Sequence, residues 1–144
     1  MQRLTAIFLL LASILFGAQP AAAQATLQGD WTATKAERDG KSAEDVLGNR
    51  LSFSGTRFEI RSKDDRTLFA GTFRTNSKVK PAAIDFVHAE GSLKGNAWKG
   101  IYTLTGDALT IIDNAPDIAK PRPAAFAAKG GSGYVLITFM RAKP

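Results

Sequence analysis

The chain has 144 residues, of which 44% are hydrophobic, a net charge of +6, one histidine and no cysteine. Without cysteine the chain forms no disulfide bonds and performs no thiol catalysis, and one histidine cannot supply the several ligands of a zinc or copper site. Lysine and arginine are scattered without a dense block, which argues against a nucleic-acid interface. The length suits a single domain with one core.

The N-terminal residues are typical of a secretory signal peptide. Arg3 precedes an almost unbroken apolar run at residues 7–16, and the small residues 21–23 fit the rule for signal peptidase cleavage. The run is shorter than the roughly 20 apolar residues that cross a bilayer. We therefore expect cleavage after Ala23, which leaves residues 24–144 as one exported domain, periplasmic or extracellular, without a transmembrane segment.

Beyond this leader, short stretches rich in β-branched and aromatic residues alternate with turn-forming residues, a pattern typical of a β-sandwich or β-barrel. Turn signals at residues 54–56 and 105–107 predict tight hairpins. Residues 42–47 predict one helical turn or short helix with Ser42 as its N-cap. This order favours an all-β fold, an antiparallel up-and-down barrel of roughly eight strands with one short helix after the first strand. The predicted strands cover residues 31–36, 51–53, 58–61, 68–75, 83–87, 99–105, 109–113 and 134–141.

The residue types that carry catalysis do not form a recognisable pattern. His88 lies at the end of a predicted strand with no nucleophile marked near it, and it is interpreted as a loop or rim residue. The segment around Asp64 and Asp65 is interpreted as a solvated turn, and Asp113 is interpreted as the end of a strand. The sequence therefore does not indicate a pair of catalytic carboxylates. Residues 130–133 are rich in glycine, but no helix follows them to form a phosphate cradle. We therefore predict a non-catalytic protein without a metal or cofactor.

Aromatic residues recur in or beside most of the predicted strands, where they either fill the core or line a ligand cavity. An eight-stranded barrel allows both outcomes, because its interior is just filled by side chains or keeps room for one small ligand. The candidate cavity-lining residues are Phe53, Phe58, Phe73, Phe86, Tyr102 and Phe139.

The connection before the last strand contains three prolines and is predicted to be extended. Arg122 lies between two of these prolines, Pro121 and Pro123. It is the candidate loop contact for a partner, since exposed loops often carry function, although a plain connection between strands explains the same residues.

Gly29-Asp30-Trp31 opens the first predicted strand and resembles the Gly-x-Trp that begins lipocalin-like barrels. Arg141 near the end of the last strand matches the basic residue that those folds lay across the tryptophan. Stacking of a guanidinium on an indole closes one end of a barrel and covers apolar area. The resemblance therefore implies that Trp31 and Arg141 are a structural, barrel-closing pair.

A wider resemblance covers nearly the whole mature chain, which is similar to an uncharacterised exported lipocalin-like domain family expanded in planctomycete-type bacteria. Residues 112–117 depart from that family, which often has a cysteine and an Ala-Pro-Gly turn here. The resemblance implies the fold and carries over no catalytic residues. The motifs that carry it lie at residues 27–31, 36–41, 80–85, 100–109 and 121–123, followed by Phe126.

Two functions remain open at this stage. The first is an exported, non-catalytic binding protein that holds a small apolar or amphiphilic ligand in its barrel. The alternative is an interaction or structural module of the cell envelope, with a packed barrel and surface loops that contact an envelope component. We expect a monomer that does not bind nucleic acid.

Overall fold

The computed structural model describes residues 27–143. The predicted signal peptide, residues 1–23, lies outside the described residues. The described chain forms nine strands and one 3-10 turn, Glu44–Val46. The strands are β1 (Gly29–Arg38), β2 (Lys41–Ser42), β3 (Arg50–Ser54), β4 (Arg57–Arg61), β5 (Thr67–Asn76), β6 (Ala83–His88), β7 (Ala97–Thr105), β8 (Ala108–Asp113) and β9 (Val135–Arg141).

Eight of these strands close into a barrel. β1 and β3 to β9 pair in chain order, each pairing is antiparallel, and β9 returns to pair with β1. β2 only extends β1 as a short hairpin. The predicted all-β, eight-stranded antiparallel barrel is therefore confirmed. Among residues 27–143, no helix is long and apolar enough to cross a membrane.

The short helix after the first strand is a single 3-10 turn. The prediction that Ser42 caps it is wrong, because Ala43 occupies the N-cap position and no side chain caps the turn. Ser42 instead pairs with Glu37 in the β1–β2 hairpin, and its hydroxyl donates to the Glu44 carboxylate at 2.8 Å. The hairpin therefore holds this serine outside the turn.

Side chains alternate between the interior and the outer face along each strand, as strand geometry requires. The interior has two ends, which we name by their residues. At the closed end, Trp31 of β1 is opposite Arg141 of β9. At the open end, Arg38 of β1 is opposite Val135 of β9, and Val135 is in turn opposite Asp113 of β8.

A guanidinium–indole contact covers the closed end. The Arg141 Cζ lies 4.2 Å from the centroid of the Trp31 ring, whose side chain is fully buried. The Trp31 Nε1–H donates to the Leu27 carbonyl at 2.8 Å, and Arg141 donates to the Gln28 carbonyl at 2.9 Å. Trp31 and Arg141, the pair expected from the resemblance, therefore cover the closed end of the barrel.

Two glycines allow strands to approach closely inside the wall. A Cβ on Gly71 of β5 would overlap the carbonyl oxygen of Val87 on β6. A Cβ on Gly100 of β7 would lie 2.7 Å from the Ile112 carbonyl oxygen and 3.0 Å from the Asp113 Cβ. Glycine at such positions marks a tight bend or a close backbone approach in a sheet. Gly100 therefore allows β7 to lie close to Asp113.

The connection between β8 and β9 covers part of the outer face of the barrel. Ala128 and Phe126 from this connection pack on Ile101 and Ile112, the outward-facing residues of β7 and β8. The Gly40 N–H donates to the Ala128 carbonyl at 2.7 Å, which ties the connection to the β1–β2 hairpin. The segment is therefore anchored at several points along its length.

Candidate ligand cavity

A cavity of about 370 Å³ occupies the open end of the barrel. Its position follows from the strand register, because Arg38, Asp113 and Val135 line it while the closed-end residues Trp31 and Arg141 do not. Most of its wall is aliphatic or aromatic. The principal apolar lining residues are Leu51, Ile60, Phe69, Phe86, Trp98, Ile111, Val135, Ile137 and Phe139.

Asp113 brings a carboxyl group to this apolar wall from the last position of β8. Only 5% of the residue is exposed. One carboxyl oxygen, Oδ1, accepts a hydrogen bond from the Ala115 N–H at 2.9 Å. The other oxygen, Oδ2, makes no hydrogen bond to residues 27–143. Burial raises the pKa of Asp113 to about 7, and the hydrogen bond from Ala115 opposes this rise only in part.

An ion pair lies at the rim of the cavity. Arg38 of β1 donates to both carboxyl oxygens of Asp45 in the 3-10 turn, at 2.7 and 3.4 Å. Both side chains line the cavity and are partly exposed. The hydrogen bond from Arg38 lowers the pKa of Asp45, so this carboxyl is ionised at neutral pH. It places two charges that neutralise each other at the entrance.

A buried imidazole stands behind the cavity wall. His88 is 2% exposed, and its ring centroid lies 4.3 Å from that of Trp98 and 5.6 Å from those of Phe58 and Phe69. The interpretation of His88 as a loop or rim residue is therefore wrong, because its position on β6 places it in the inward-facing set with Phe86. Burial lowers the pKa of His88 and keeps its ring neutral.

Three buried nitrogen atoms in this cluster have no hydrogen-bond partner within the described part of the chain: Nδ1 and Nε2 of His88 and Nε1 of Trp98. Buried polar groups are normally paired, and an unpaired one costs about 1–3 kcal/mol. The Trp98 indole lines the cavity. The Trp98 side chain therefore contributes to the cavity wall, while its N–H group is buried without a partner among the described residues.

The six aromatic residues proposed from the sequence divide between the two halves of the barrel. Phe86 and Phe139 line the cavity. Phe53, Phe58, Phe73 and Tyr102 belong to the buried core and are not part of the cavity wall. In the core the Phe53 and Phe73 rings pack with centroids 4.5 Å apart, and those of Phe58 and Phe86 are 5.0 Å apart. These contacts fill the space nearer the closed end.

Arg122 is held against the outside of the barrel wall. Its guanidinium donates to the Gly100 carbonyl at 2.7 Å, to the Ile84 carbonyl at 3.2 Å and to the Asp85 carboxylate at 2.7 Å. These bonds join the β8–β9 connection to β6 and β7. Arg122 thus uses its donors within the chain and fixes the path of the connection.

Scans of the chain against protein-family models, curated proteins and solved structures give no match.

Between residues 27 and 143, no three His, Asp or Glu side chains are grouped to hold a metal ion. The cavity lining itself offers an apolar wall, which includes the Trp98 ring, and the Asp113 carboxyl.

Sequence reasoning missed Trp98 and Asp113 as cavity residues. Trp98 precedes the predicted start of its strand, although it is in phase with the inward-facing Tyr102 four residues later. Asp113 was assigned to a strand end, although it continues the alternation of Leu109 and Ile111. Extending the period-two pattern by one residue would have placed Trp98 inside the barrel, and following the same period to the end of the predicted strand 109–113 would have placed Asp113 there.

Proposed function

We propose that this protein is an exported, non-catalytic binding protein that holds one small apolar or amphiphilic molecule in the open end of its barrel. The observation that carries this proposal is the cavity of about 370 Å³, with a mostly apolar wall and one buried carboxyl. Ligand sites are typically concave and apolar with a few polar groups that orient the ligand. The resemblance to exported lipocalin-like domains supports the same function.

The cavity volume limits the size of the ligand. An apolar protein cavity of about 150 Å³ accommodates benzene. The cavity here, about 370 Å³, is more than twice as large and lies at the lower end of the range for ligand pockets. It suits a single ring with a short chain or a two-ring molecule. A long-chain lipid would have to extend past the Arg38–Asp45 pair into solvent.

The two tryptophans of the chain offer a direct test of binding. Trp98 lines the cavity, whereas Trp31 is buried at the closed end with its indole N–H bonded to Leu27. We would titrate the ¹⁵N-labelled mature protein with n-pentylbenzene and follow the two indole N–H resonances by NMR. Binding in the cavity predicts a saturable shift of the Trp98 resonance and little change at Trp31.

A matched pair of substitutions provides the control. Val135 projects into the cavity, whereas Val87, between the inward-facing Phe86 and His88, projects outward. Val135→Phe is expected to fill the cavity and weaken n-pentylbenzene binding at least tenfold. Val87→Phe adds the same apolar area elsewhere and is expected to leave the affinity within about twofold. Absence of a Trp98 shift in the wild type, or equal weakening by both variants, would overturn the proposal.

The export part of the proposal has its own measurement. Expression of the full chain in a bacterium, followed by fractionation and N-terminal sequencing, is expected to recover protein that starts at Gln24 outside the cytoplasm. Recovery of full-length protein from the cytoplasm alone would contradict export.

A further inference from the structure

The Asp113 carboxyl is only partly hydrogen-bonded within the described residues. It lines the cavity, and its Oδ2 atom has no hydrogen bond to the described residues. Gly100, directly opposite on β7, contributes no side chain that could cover the carboxyl. Val135, opposite on β9, is apolar. A carboxyl oxygen at 5% residue exposure is therefore open towards the cavity and not towards another protein group.

The remaining charges of the cavity wall are already paired. Arg38 binds Asp45 through two hydrogen bonds, so its guanidinium is engaged. An anionic ligand would meet the open Asp113 carboxyl without an unpaired cation among the described lining residues. A cationic ligand would instead place its charged group against this carboxyl and donate a hydrogen bond to it. The charge pattern therefore favours a cation.

Part of the apolar cavity wall is aromatic, and this points to the same ligand chemistry. Phe69, Phe86 and Trp98 all line the cavity. The Trp98 ring centroid lies 4.7 Å from that of Phe69 and 6.3 Å from that of Phe86, so these rings form one continuous surface. Aromatic faces attract an ammonium group through their quadrupole and also cover an apolar skeleton.

We propose that the ligand is a small organic amine, whose ammonium group binds the Asp113 carboxylate while its apolar part lies in the aromatic half of the cavity. This assignment rests on the proposed ligand-binding function and names the chemical class of the ligand. The ammonium supplies hydrogen bonds to Oδ2, and the cavity wall excludes water from the pair, which strengthens the interaction.

The affinity for an amine is expected to depend on pH, because Asp113 ionises near neutral pH. The free carboxyl is protonated in much of the population below neutral pH, since burial raises its pKa to about 7. An ammonium group binds the ionised form, so the affinity for an amine rises as the pH increases through this range. Among the other titratable groups near the cavity, Arg38 and Asp45 are paired at its rim and His88 lies behind Trp98.

The experiment compares two probes with the same skeleton. 4-Phenylbutylamine carries an ammonium where n-pentylbenzene carries a methyl group. Both are titrated against wild type and Asp113→Asn at pH 5.5 and pH 8.5, with the Trp98 indole resonance as the readout and Trp31 as the fold control. The measured quantity is the ratio of the two affinities, which removes general effects on the apolar part of the cavity.

In the wild type we expect the amine-to-hydrocarbon affinity ratio to rise at least tenfold between pH 5.5 and pH 8.5. At pH 8.5 we expect Asp113→Asn to reduce this ratio at least tenfold and to abolish its rise with pH. If n-pentylbenzene binds and the ratio depends on neither pH nor Asp113, the amine assignment is wrong and the binding function stands. If neither probe binds, the proposed function fails together with the assignment.

Discussion

Asp113→Asn provides a direct thermodynamic test of the buried carboxyl. In the folded chain the pKa of Asp113 is raised to about 7, whereas the ordinary value is 3.8. Between these two values the folded protein holds a proton that the unfolded chain releases, so the free energy of unfolding falls as the pH rises. Each pH unit corresponds to about 1.4 kcal/mol, which gives a total loss of about 4 kcal/mol between pH 4 and pH 7. Above pH 7 both states are ionised and the loss is complete.

Asparagine keeps the oxygen that accepts from Ala115 and removes the ionisation. We therefore expect the stability of Asp113→Asn relative to wild type to improve by about 4 kcal/mol between pH 4 and pH 8. Urea unfolding at four pH values in this range measures the difference. Asp64→Asn in the exposed turn after β4 is the matched control, and we expect it to show no such trend. A wild-type-to-variant difference that stays constant within about 1 kcal/mol over the range would refute the reasoning.

Three further substitutions examine other parts of the barrel. Trp31→Ala removes the fully buried indole of the closed end and should lower the free energy of unfolding by about 3–5 kcal/mol in denaturant titration; a loss below about 1 kcal/mol would contradict its role. His88→Phe removes two unpaired nitrogens, so stability at pH 7 should be unchanged or higher by up to about 3 kcal/mol. Because burial lowers the pKa of His88, the stability of wild type relative to the variant should fall below about pH 6.5, where the unfolded histidine gains a proton; parallel pH profiles of the two proteins would count against this. Gly71→Ala forces a methyl group against the Val87 carbonyl oxygen, so the free energy of unfolding should fall by about 1–3 kcal/mol or more and the thermal midpoint should fall with it. An unchanged midpoint would contradict the close approach of β5 and β6 at this position.

The strand pattern of this chain could be predicted because the barrel is built almost entirely from neighbouring hairpins. Apart from the short β2, each strand pairs with the next barrel strand in sequence, so alternation and turn residues carry most of the topology. The closing pair, β1 with β9, joins residues far apart in the chain; a closed barrel implies this pairing, but the residues that face each other, Trp31 and Arg141, were accessible only through the resemblance. The bounds of the strands were less accurate, and β7 begins two residues before its predicted start.

The position of the cavity was harder to predict because it depends on the size of side chains along the barrel axis. Periodicity assigns a residue to the interior but does not place it near one end or the other. Phe53, Phe73 and Phe86 all face inward, yet only Phe86 of these three lines the cavity. The depth of each residue depends on the stagger between strands, including the register shifts in β1–β9 and β4–β5. No local sequence pattern reports that stagger.

Groups that reduce stability are concentrated at the open half of the barrel. The closed half is filled by large side chains and covered by the contact of Arg141 with Trp31. The open half combines unfilled volume, a buried carboxyl with an open oxygen, and three unpaired nitrogens of His88 and Trp98. Each unpaired buried nitrogen costs about 1–3 kcal/mol in a folded protein, and natural proteins retain local costs of this kind mainly at functional sites. If the barrel served only as a packed scaffold, larger apolar residues in the open half would remove these costs. The chain instead keeps them in the cavity and directly behind its wall, which favours a site that a ligand completes.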